Sequence, residues 1–234
     1  YSMKKGSILV LVLVFVMAFS GSIYAYEFVG GGIYTTFELD GLNDRIETIN
    51  DEIESASNSV GFEAKKLEKM ESSFGFYGGL RFNTTPKTDL DLTYERLVPS
   101  TDIEINYSDS NGTLDYDTNL DLNINGIVAT LRNKVSDNIR LNGGVGYYFA
   151  TFESKTNVNG TGVYSTTDET QSEEFDYNGF GFKLGADYDY PINNSSDIFA
   201  SLNYRILELD PDNSDADKLN TNGIEFKGGL SYNF

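Results

Sequence analysis

Charged side chains recur at every second position within several apolar segments, an arrangement suited to ion pairing. In residues 179–190, for example, Lys183 and Asp187 alternate with bulky residues such as Phe182 and Leu184. Charges held in a water-poor interior must be paired, because an unpaired buried charge is costly. The candidates for such a buried charge network are Arg81, Asp121, Arg140, Lys183, Asp187, Arg205, Glu225 and Lys227.

The sequence lacks the residue types on which most catalytic and metal sites depend. It contains no His and no Cys, which removes the commonest general base, the commonest transition-metal ligand and any thiol nucleophile. A Ser or Asp without an activating base is a weak nucleophile. We therefore expect no catalytic residues, no enzymatic activity, no cofactor and no resident metal site.

The chain is strongly acidic. Its 234 residues include 36 Asp and Glu against 17 Lys and Arg, a formal net charge of −19. Such a charge is repelled by phosphate backbones and by anionic membrane surfaces. Nucleic acid is therefore excluded as a partner.

The first 25 residues have the pattern of a secretory signal peptide. Lys4 and Lys5 follow Met3, an apolar run spans residues 8–19, and small residues lead to Ala25. The run is short for a transmembrane helix, which needs roughly 20 residues. We expect residues 1–25 to be a signal peptide cleaved after Ala25, and residues 26–234 to form one domain.

From residue 28 onward, alternation with a period of two is the dominant signal. In the last segment Ile224 and Phe226 lie on one face, while Glu225 and Lys227 lie on the other. Successive side chains of a strand point to opposite faces, so this segment is amphipathic as a strand. Eight segments behave in this way, although Pro99 interrupts one of them and predicts an edge or a bulge.

The polar face of these strands combines Gly with single charges, which favours a barrel interior. Gly weakens strands and has no advantage on a water-facing surface, whereas the interior of a small barrel is tight. We expect the bulky face to meet lipid, and a bulge or a thicker interior near Ile127. A soluble sandwich with the bulky face as its core is the alternative. In the first strand the bulky face comprises Val29, Ile33, Phe37 and Leu39.

Short and long connections alternate strictly along the chain. The short ones are residues 84–88, 135–138 and 192–197, and the long ones are residues 40–72, 108–117, 156–173 and 209–219. Short turns on the periplasmic side and longer extracellular loops are typical of bacterial transmembrane barrels. The fold class predicted is all-β: an eight-stranded antiparallel transmembrane up-and-down β-barrel with an α-helical insertion in the first extracellular loop.

The first loop, residues 40–72, is predicted to be helical. Apolar residues recur at spacings of three and four: Leu42, Ile46, Ile49 and Ile53. A second short helix over residues 63–72 would bring Leu67 and Met70 to the same stripe. This helical hairpin either caps the barrel mouth or presents a partner-binding knob, and the cap is favoured.

The chain resembles the small outer-membrane β-barrel superfamily, which includes the OmpA-like and OmpX-like porin-family barrels. The most specific mark is the C-terminal alternation of Leu230, Tyr232 and Phe234, which is similar to the signal read by the barrel assembly machinery. The resemblance implies localisation in the bacterial outer membrane of a Gram-negative-type envelope. It also implies contact with the lipid bilayer and lipopolysaccharide, and recognition by the assembly machinery during biogenesis.

Two functional hypotheses follow from this fold. The interior of an eight-stranded barrel is just wide enough for side chains to fill it, so the charge network predicts a polar plug and a structural or surface-interaction role. The alternative is a narrow porin passing small solutes or ions. The acidic extracellular segments 107–119, 156–174 and 208–218 could collect divalent cations, although a solvated acidic loop is the simpler interpretation. The oligomeric state is left open.

Overall fold

The computed structural model describes residues 25–60, 63–162, 169–212 and 217–233. The predicted signal segment before residue 25 and Phe234 of the predicted assembly signal lie outside these residues. No helix in the described part of the chain is long and apolar enough to cross a membrane.

Eleven strands and one helix make up the described structure. They are β1 (Ala25–Thr36), α1 (Asp40–Val60), β2 (Glu63–Lys65), β3 (Ser72–Thr85), β4 (Thr88–Leu97), β5 (Ser100–Asp109), β6 (Gly112–Lys134), β7 (Ile139–Gly160), β8 (Glu169–Asn193), β9 (Ser196–Pro211), β10 (Leu219–Asn220) and β11 (Gly223–Asn233).

Eight of these strands close into an antiparallel barrel. The order around the ring is β1, β3, β4, β6, β7, β8, β9 and β11, and β11 pairs again with β1. Closure satisfies backbone groups that lipid could not. The predicted all-β, eight-stranded barrel with a helix in its first loop is confirmed.

Strands β4 and β5 together form one strand of the barrel wall, which Pro99 interrupts without a change of register. Leu97 pairs with Ile124 and Ser100 pairs with Asp121, so the same alignment along β6 continues on both sides of the break. The Pro99 carbonyl accepts a hydrogen bond of 2.9 Å from the Leu122 amide. The proline removes one donor, and the ladder then resumes.

Several strands continue well beyond the length that spans a bilayer. Strands β6, β7 and β8 have 23, 22 and 25 residues, whereas about 9–11 residues suffice for a tilted strand. Their upper parts join β5 in a sheet that we call the extracellular ribbon, comprising residues 100–109, 112–123, 152–160 and 169–176.

The predicted long loop at residues 108–117 is wrong, because β5 and β6 are joined by the two-residue turn Ser110–Asn111. The loop predicted at residues 156–173 is strand at both ends. In both segments cross-strand pairing continues past the membrane.

The first loop contains one helix rather than two. Helix α1 forms as predicted, but the second helix predicted over residues 63–72 is wrong. Residues 63–65 form β2 and pair with the edge of β5. The Asn50 side chain accepts a hydrogen bond of 2.8 Å from the Leu67 amide and donates one of 3.0 Å to its carbonyl. Outside partners therefore satisfy backbone groups that a helix would have paired internally.

Helix α1 and residues 66–71, which together we call the cap, cover the extracellular mouth of the barrel. Ile46 of α1 is 1% exposed, and it joins Leu39, Leu67 and Met70 in the same buried apolar cluster as the upper barrel interior. Burying this stripe removes apolar surface from water, which favours the closed position of the cap.

The predicted outward face is observed on β8, β9 and β11. Phe180, Tyr204 and Phe226 lie on the outer wall, each about half exposed in the lipid-free structure.

In β1 the predicted inward and outward faces are reversed. Phe28 and Tyr34 lie on the outer face, as do the residues opposite them on β3 and β11. The buried inward set of this strand and its extension is Val29, Ile33, Phe37 and Leu39.

The candidate site: the barrel interior

The barrel interior has two layers with different chemistry. We call the lower one the ionic layer: it extends upward from the short turns and holds side chains of β1, β3, β4, β6, β7, β8, β9 and β11, with Arg205 at its upper end against Thr35 and the Phe37 ring. The upper one, the apolar layer, lies beneath the cap. Six cations and seven carboxylates take part in the ion pairs of the ionic layer: Arg81, Arg132, Arg140, Lys183, Arg205 and Lys227 with Glu27, Asp89, Asp91, Glu95, Asp187, Asp189 and Glu225.

Two arginines form the lower part of this network. Arg81 of β3 makes two hydrogen bonds to Asp91 of β4, at 2.8 and 3.0 Å. Arg132 of β6 donates to both Asp187 and Asp189 of β8, each at 2.6 Å. A guanidinium presents its donors in a planar fork that matches carboxylates, so these contacts fix the strands relative to one another.

Arg140 of β7 completes this lower part. It lies 2.8 Å from Asp89 of β4 and 2.6 Å from Asp189 of β8. Since Asp89 and Asp189 lie on strands separated by β6 and β7, the pairs tie opposite walls of the barrel together. The network therefore acts across the lumen as well as along neighbouring strands.

Glu95 is the centre of the upper part of the ionic layer. It accepts a hydrogen bond of 2.7 Å from Lys183 and another from Lys227. Glu225 lies 3.3 Å from Lys227 and 3.7 Å from Arg205. Both carboxylates are almost completely buried, at 1% and 0% exposure. Each buried charge has an opposite charge within reach, as burial requires.

Seven of the eight residues predicted for the charge network lie together in this layer. They are Arg81, Arg140, Lys183, Asp187, Arg205, Glu225 and Lys227.

Asp121 does not join them. Its neighbours Leu120 and Leu122 point into the barrel, so Asp121 lies on the outer face of the ribbon, opposite Glu153. In this part of β6 the apolar residues point inward and the polar ones outward. The strand shows no register shift near Ile127.

Sequence reasoning missed six members of the network. They are Glu27, Asp89, Asp91, Glu95, Arg132 and Asp189. The signal was available on β4, where Asp89, Asp91 and Glu95 alternate with Leu90, Leu92 and Tyr94 in the same period of two. Arg132 follows the buried positions Val128 and Thr130 on one face of β6.

Tyr148 marks the boundary between the two layers. Its ring is enclosed by three glycines, one on its own strand and one on each neighbouring strand: a Cβ placed at Gly126, Gly146 or Gly181 would fall 2.5, 2.7 or 2.8 Å from a ring carbon. Its hydroxyl donates a hydrogen bond of 3.4 Å to Glu95. These inward glycines therefore make room for one large side chain that fills the lumen.

Above Tyr148 the interior is apolar, not polar as predicted. Leu97, Leu122, Ile124 and Leu207 are at most 1% exposed and belong to one hydrophobic cluster. This is the thicker interior that the sequence allowed near Ile127. The interior therefore holds paired charges below and packed aliphatic side chains above.

A cavity of about 30 Å³ remains within the ionic layer, which is large enough to hold a water molecule. Three buried oxygens that line it have no hydrogen-bond partner among the described residues: Tyr77 Oη, Asn142 Oδ1 and Asn203 Oδ1. Over the same part of the chain, no group of three or more acidic side chains is arranged to hold a metal ion.

One exposed ion pair lies within the cap, and another joins the cap to the segment before β10. Lys66 lies 2.6 Å from Glu54, and Arg45 lies 2.9 Å from Asp217. The hydrogen bond from Lys66 lowers the pKa of Glu54 below its ordinary value, and the same bond raises the pKa of Lys66. Exposed pairs of this kind contribute little to stability, so the buried stripe is the main attachment of the cap.

Known proteins similar to this chain are found among solved structures. No curated protein matches the chain. Among solved structures it is similar to the attachment invasion locus protein Ail of Yersinia pestis in complex with the heparin analogue sucrose octasulfate, at 14% identity over 89% of this chain and 97% of that chain, with a TM-score of 0.44. It is also similar to the outer membrane protein OprG from Pseudomonas aeruginosa, at 12% identity over 91% and 97%, with a TM-score of 0.43.

A family model gives the assignment. The model described as Legionella pneumophila major outer membrane protein precursor matches residues 42–227, most of the chain. The closed ring of strands, the apolar outer wall and this match lead to one conclusion: the chain belongs to the Legionella outer membrane protein family and is an outer-membrane β-barrel protein of the bacterial outer membrane.

Proposed function

We propose that this protein is a closed, non-enzymatic barrel that acts through its extracellular surface. The observation that carries the proposal is the filled interior. The ionic layer ties opposite walls together, and the apolar layer above it packs Leu97, Leu122 and Ile124 at no more than 1% exposure. Such an interior supports a plug rather than a path for solutes.

Two further features support closure. An ion crossing the ionic layer would have to replace buried pairs such as Glu95 with Lys183, and it would then meet an aliphatic layer in which a charge has no partner. The cap covers the same end of the barrel through Ile46 and Met70. A narrow porin would need both the cap and the apolar layer to move aside.

The surface left for interaction is the extracellular ribbon. It extends beyond the membrane-spanning length and carries many carboxylates, including Asp102, Asp117 and Glu153. Ail has been crystallised with a sulfated heparin analogue, but an acidic ribbon would repel a polyanion of that kind. We propose a surface role with the lipid bilayer and lipopolysaccharide as its setting, and with divalent cations bridging the acidic ribbon to anionic lipid.

The C-terminal strand supports assembly through the barrel assembly machinery. Leu230 and Tyr232 face outward on β11, about half exposed. We propose that they act with Phe234 as the assembly signal, and that residues 1–25 direct export.

Planar-bilayer recording tests the closed barrel. The refolded protein is first shown to be folded by its heat-dependent mobility in gel electrophoresis, and it is then added to the bilayer beside a porin of known conductance. We expect no reproducible single-channel steps at protein loads where the porin gives many. Uniform steps from the folded protein would instead support the narrow porin.

A further inference from the structure

The extracellular ribbon has two long edges, and a short strand of the chain itself covers one of them. On β5, β2 pairs antiparallel, with Lys65 opposite Glu104. The Lys65 ammonium lies 2.7 Å from Asp102 of β5. The covered edge thus shows which kind of segment the ribbon accepts: a short extended strand that places a lysine on an acidic neighbour.

The opposite edge, on β8, is uncovered among the described residues. From Glu169 to Asp176, β8 pairs with β7 on one side. On its other side the ladder with β9 begins only at Tyr177, opposite Pro211. The last hydrogen bond on this side of β8 is the one that the Asp212 amide donates to the Asp176 carbonyl, at 2.9 Å. We call residues 169–176 the β8 edge.

The direction of the backbone groups at this edge follows from that last bond. In an antiparallel ladder, the N–H and C=O of one residue point to the same neighbouring strand, and the next residue points to the other. Since the Asp176 carbonyl points towards β9, the backbone groups of Glu174, Ser172 and Thr170 point to the open side. An unpaired row of this kind is a template for another strand.

The charge of the β8 edge selects among possible strands. The segment contains four acidic residues and no basic one. Glu174 lies opposite Glu153, which in turn lies opposite Asp121, so three carboxylates form a row across the ribbon. Like charges placed directly opposite are destabilising, whereas opposite charges stabilise a pair. A second copy of the same edge would be repelled, and a basic strand would be attracted.

We propose that the β8 edge binds an extended, lysine- or arginine-containing segment of another protein by strand addition. Main-chain hydrogen bonds would supply affinity, and the acidic side chains would supply the preference for a basic partner. This inference deepens the proposed surface role and rests on it. The closed lumen is tested separately by conductance, so either proposal can fail without the other.

The test uses the full chain in detergent micelles and a fluorescent ten-residue peptide of alternating Lys and Thr. A second peptide has the same sequence with every backbone nitrogen methylated, which keeps the charge but removes the main-chain donors of both edges. By fluorescence polarisation we expect saturable binding of the first peptide and at least tenfold weaker binding of the methylated one. Equal binding of both would mean charge attraction alone and would overturn strand addition, as would no binding of either.

A matched pair of variants locates the site on the protein. Ser172→Pro removes an N–H that points to the open side and leaves the β7 ladder intact, whereas Ser172→Ala keeps that N–H. We expect at least tenfold weaker binding for the proline variant and no change for the alanine variant. Unchanged binding to a folded Ser172→Pro protein would overturn the assignment. If that variant does not fold, the comparison of the two peptides on the unaltered protein still decides.

Light scattering of the unaltered protein distinguishes the remaining occupant. We expect the unaltered protein and the Ser172→Pro variant to have the same molecular mass in solution. A dimer sensitive to that substitution would show that a second copy fills the β8 edge, and it would overturn the proposal of a basic partner.

Discussion

Replacement of Glu95 by glutamine is the sharpest test of the ionic layer, because one carboxylate there serves two lysines. At 2.7 Å and an effective dielectric constant of about 20, its attraction to Lys183 is about 6 kcal/mol before desolvation is subtracted. Glu225 remains at 3.3 Å from Lys227 and 3.7 Å from Lys183, so both lysines keep one partner. Breaking a buried pair costs about 3–5 kcal/mol, and we expect the lower end, about 3 kcal/mol.

Urea unfolding in micelles, followed by far-ultraviolet circular dichroism, measures this cost. With a slope of about 2 kcal/mol per molar urea, the midpoint should fall by about 1.5 M. The matched control is Glu153→Gln, which removes a partly exposed carboxylate facing two others on the ribbon. We expect it to leave the midpoint unchanged or slightly higher.

A double variant separates the pair from general damage. Combining Glu95→Gln with Lys227→Met removes a cation together with its partner. The double variant should therefore lose less unfolding free energy than the two single variants lose in total. A fall of less than about 0.3 M for Glu95→Gln, or strict additivity in the double variant, would refute the view that these charges stabilise the barrel as a pair.

Four further substitutions probe the lumen and the cap. Gly146→Val should lower the free energy of unfolding by about 1–3 kcal/mol, because the new side chain presses on the Tyr148 ring. The control Gly228→Ala places no atom within 4 Å of the new Cβ, so it should be neutral or stabilising by up to about 1 kcal/mol. Equal urea midpoints for the two variants would contradict the enclosure of Tyr148 by glycines. Asn50→Ala removes two hydrogen bonds to the Leu67 backbone in the cap, so the Leu67 amide should exchange its hydrogen faster with solvent. Unchanged exchange would argue against this contact between α1 and residue 67. The lowered pKa of Glu54 means that its ion pair stabilises the cap above the ordinary glutamate pKa and is lost as the pH falls through the lowered value. An NMR titration should show this pKa below that of an exposed glutamate, and Lys66→Met should restore it; no change in that variant would count against the pair.

The sequence by itself determined that the chain forms strands and closes into an eight-stranded barrel. A period of two is a local property, readable wherever one face is bulky and the other small or charged, as in β8 with Phe182 and Lys183. The same reasoning placed seven charges of the ionic layer, because each lies on a strand whose outer face is clearly apolar. It also found α1, whose stripe has the helical spacing.

Only the tertiary structure decided which face of β1 and of upper β6 points inward. In β1, Phe28 and Val29 are both bulky, and in β6 the inward Leu122 lies beside the outward Asp121. Alternation shows that two faces differ but not which one is buried, and pairing with neighbouring strands settles that choice. The same long-range pairing turned residues 63–65 into a strand on β5 and extended predicted loops into the ribbon. Hydrogen bonds between distant segments, which no local pattern records, made these decisions.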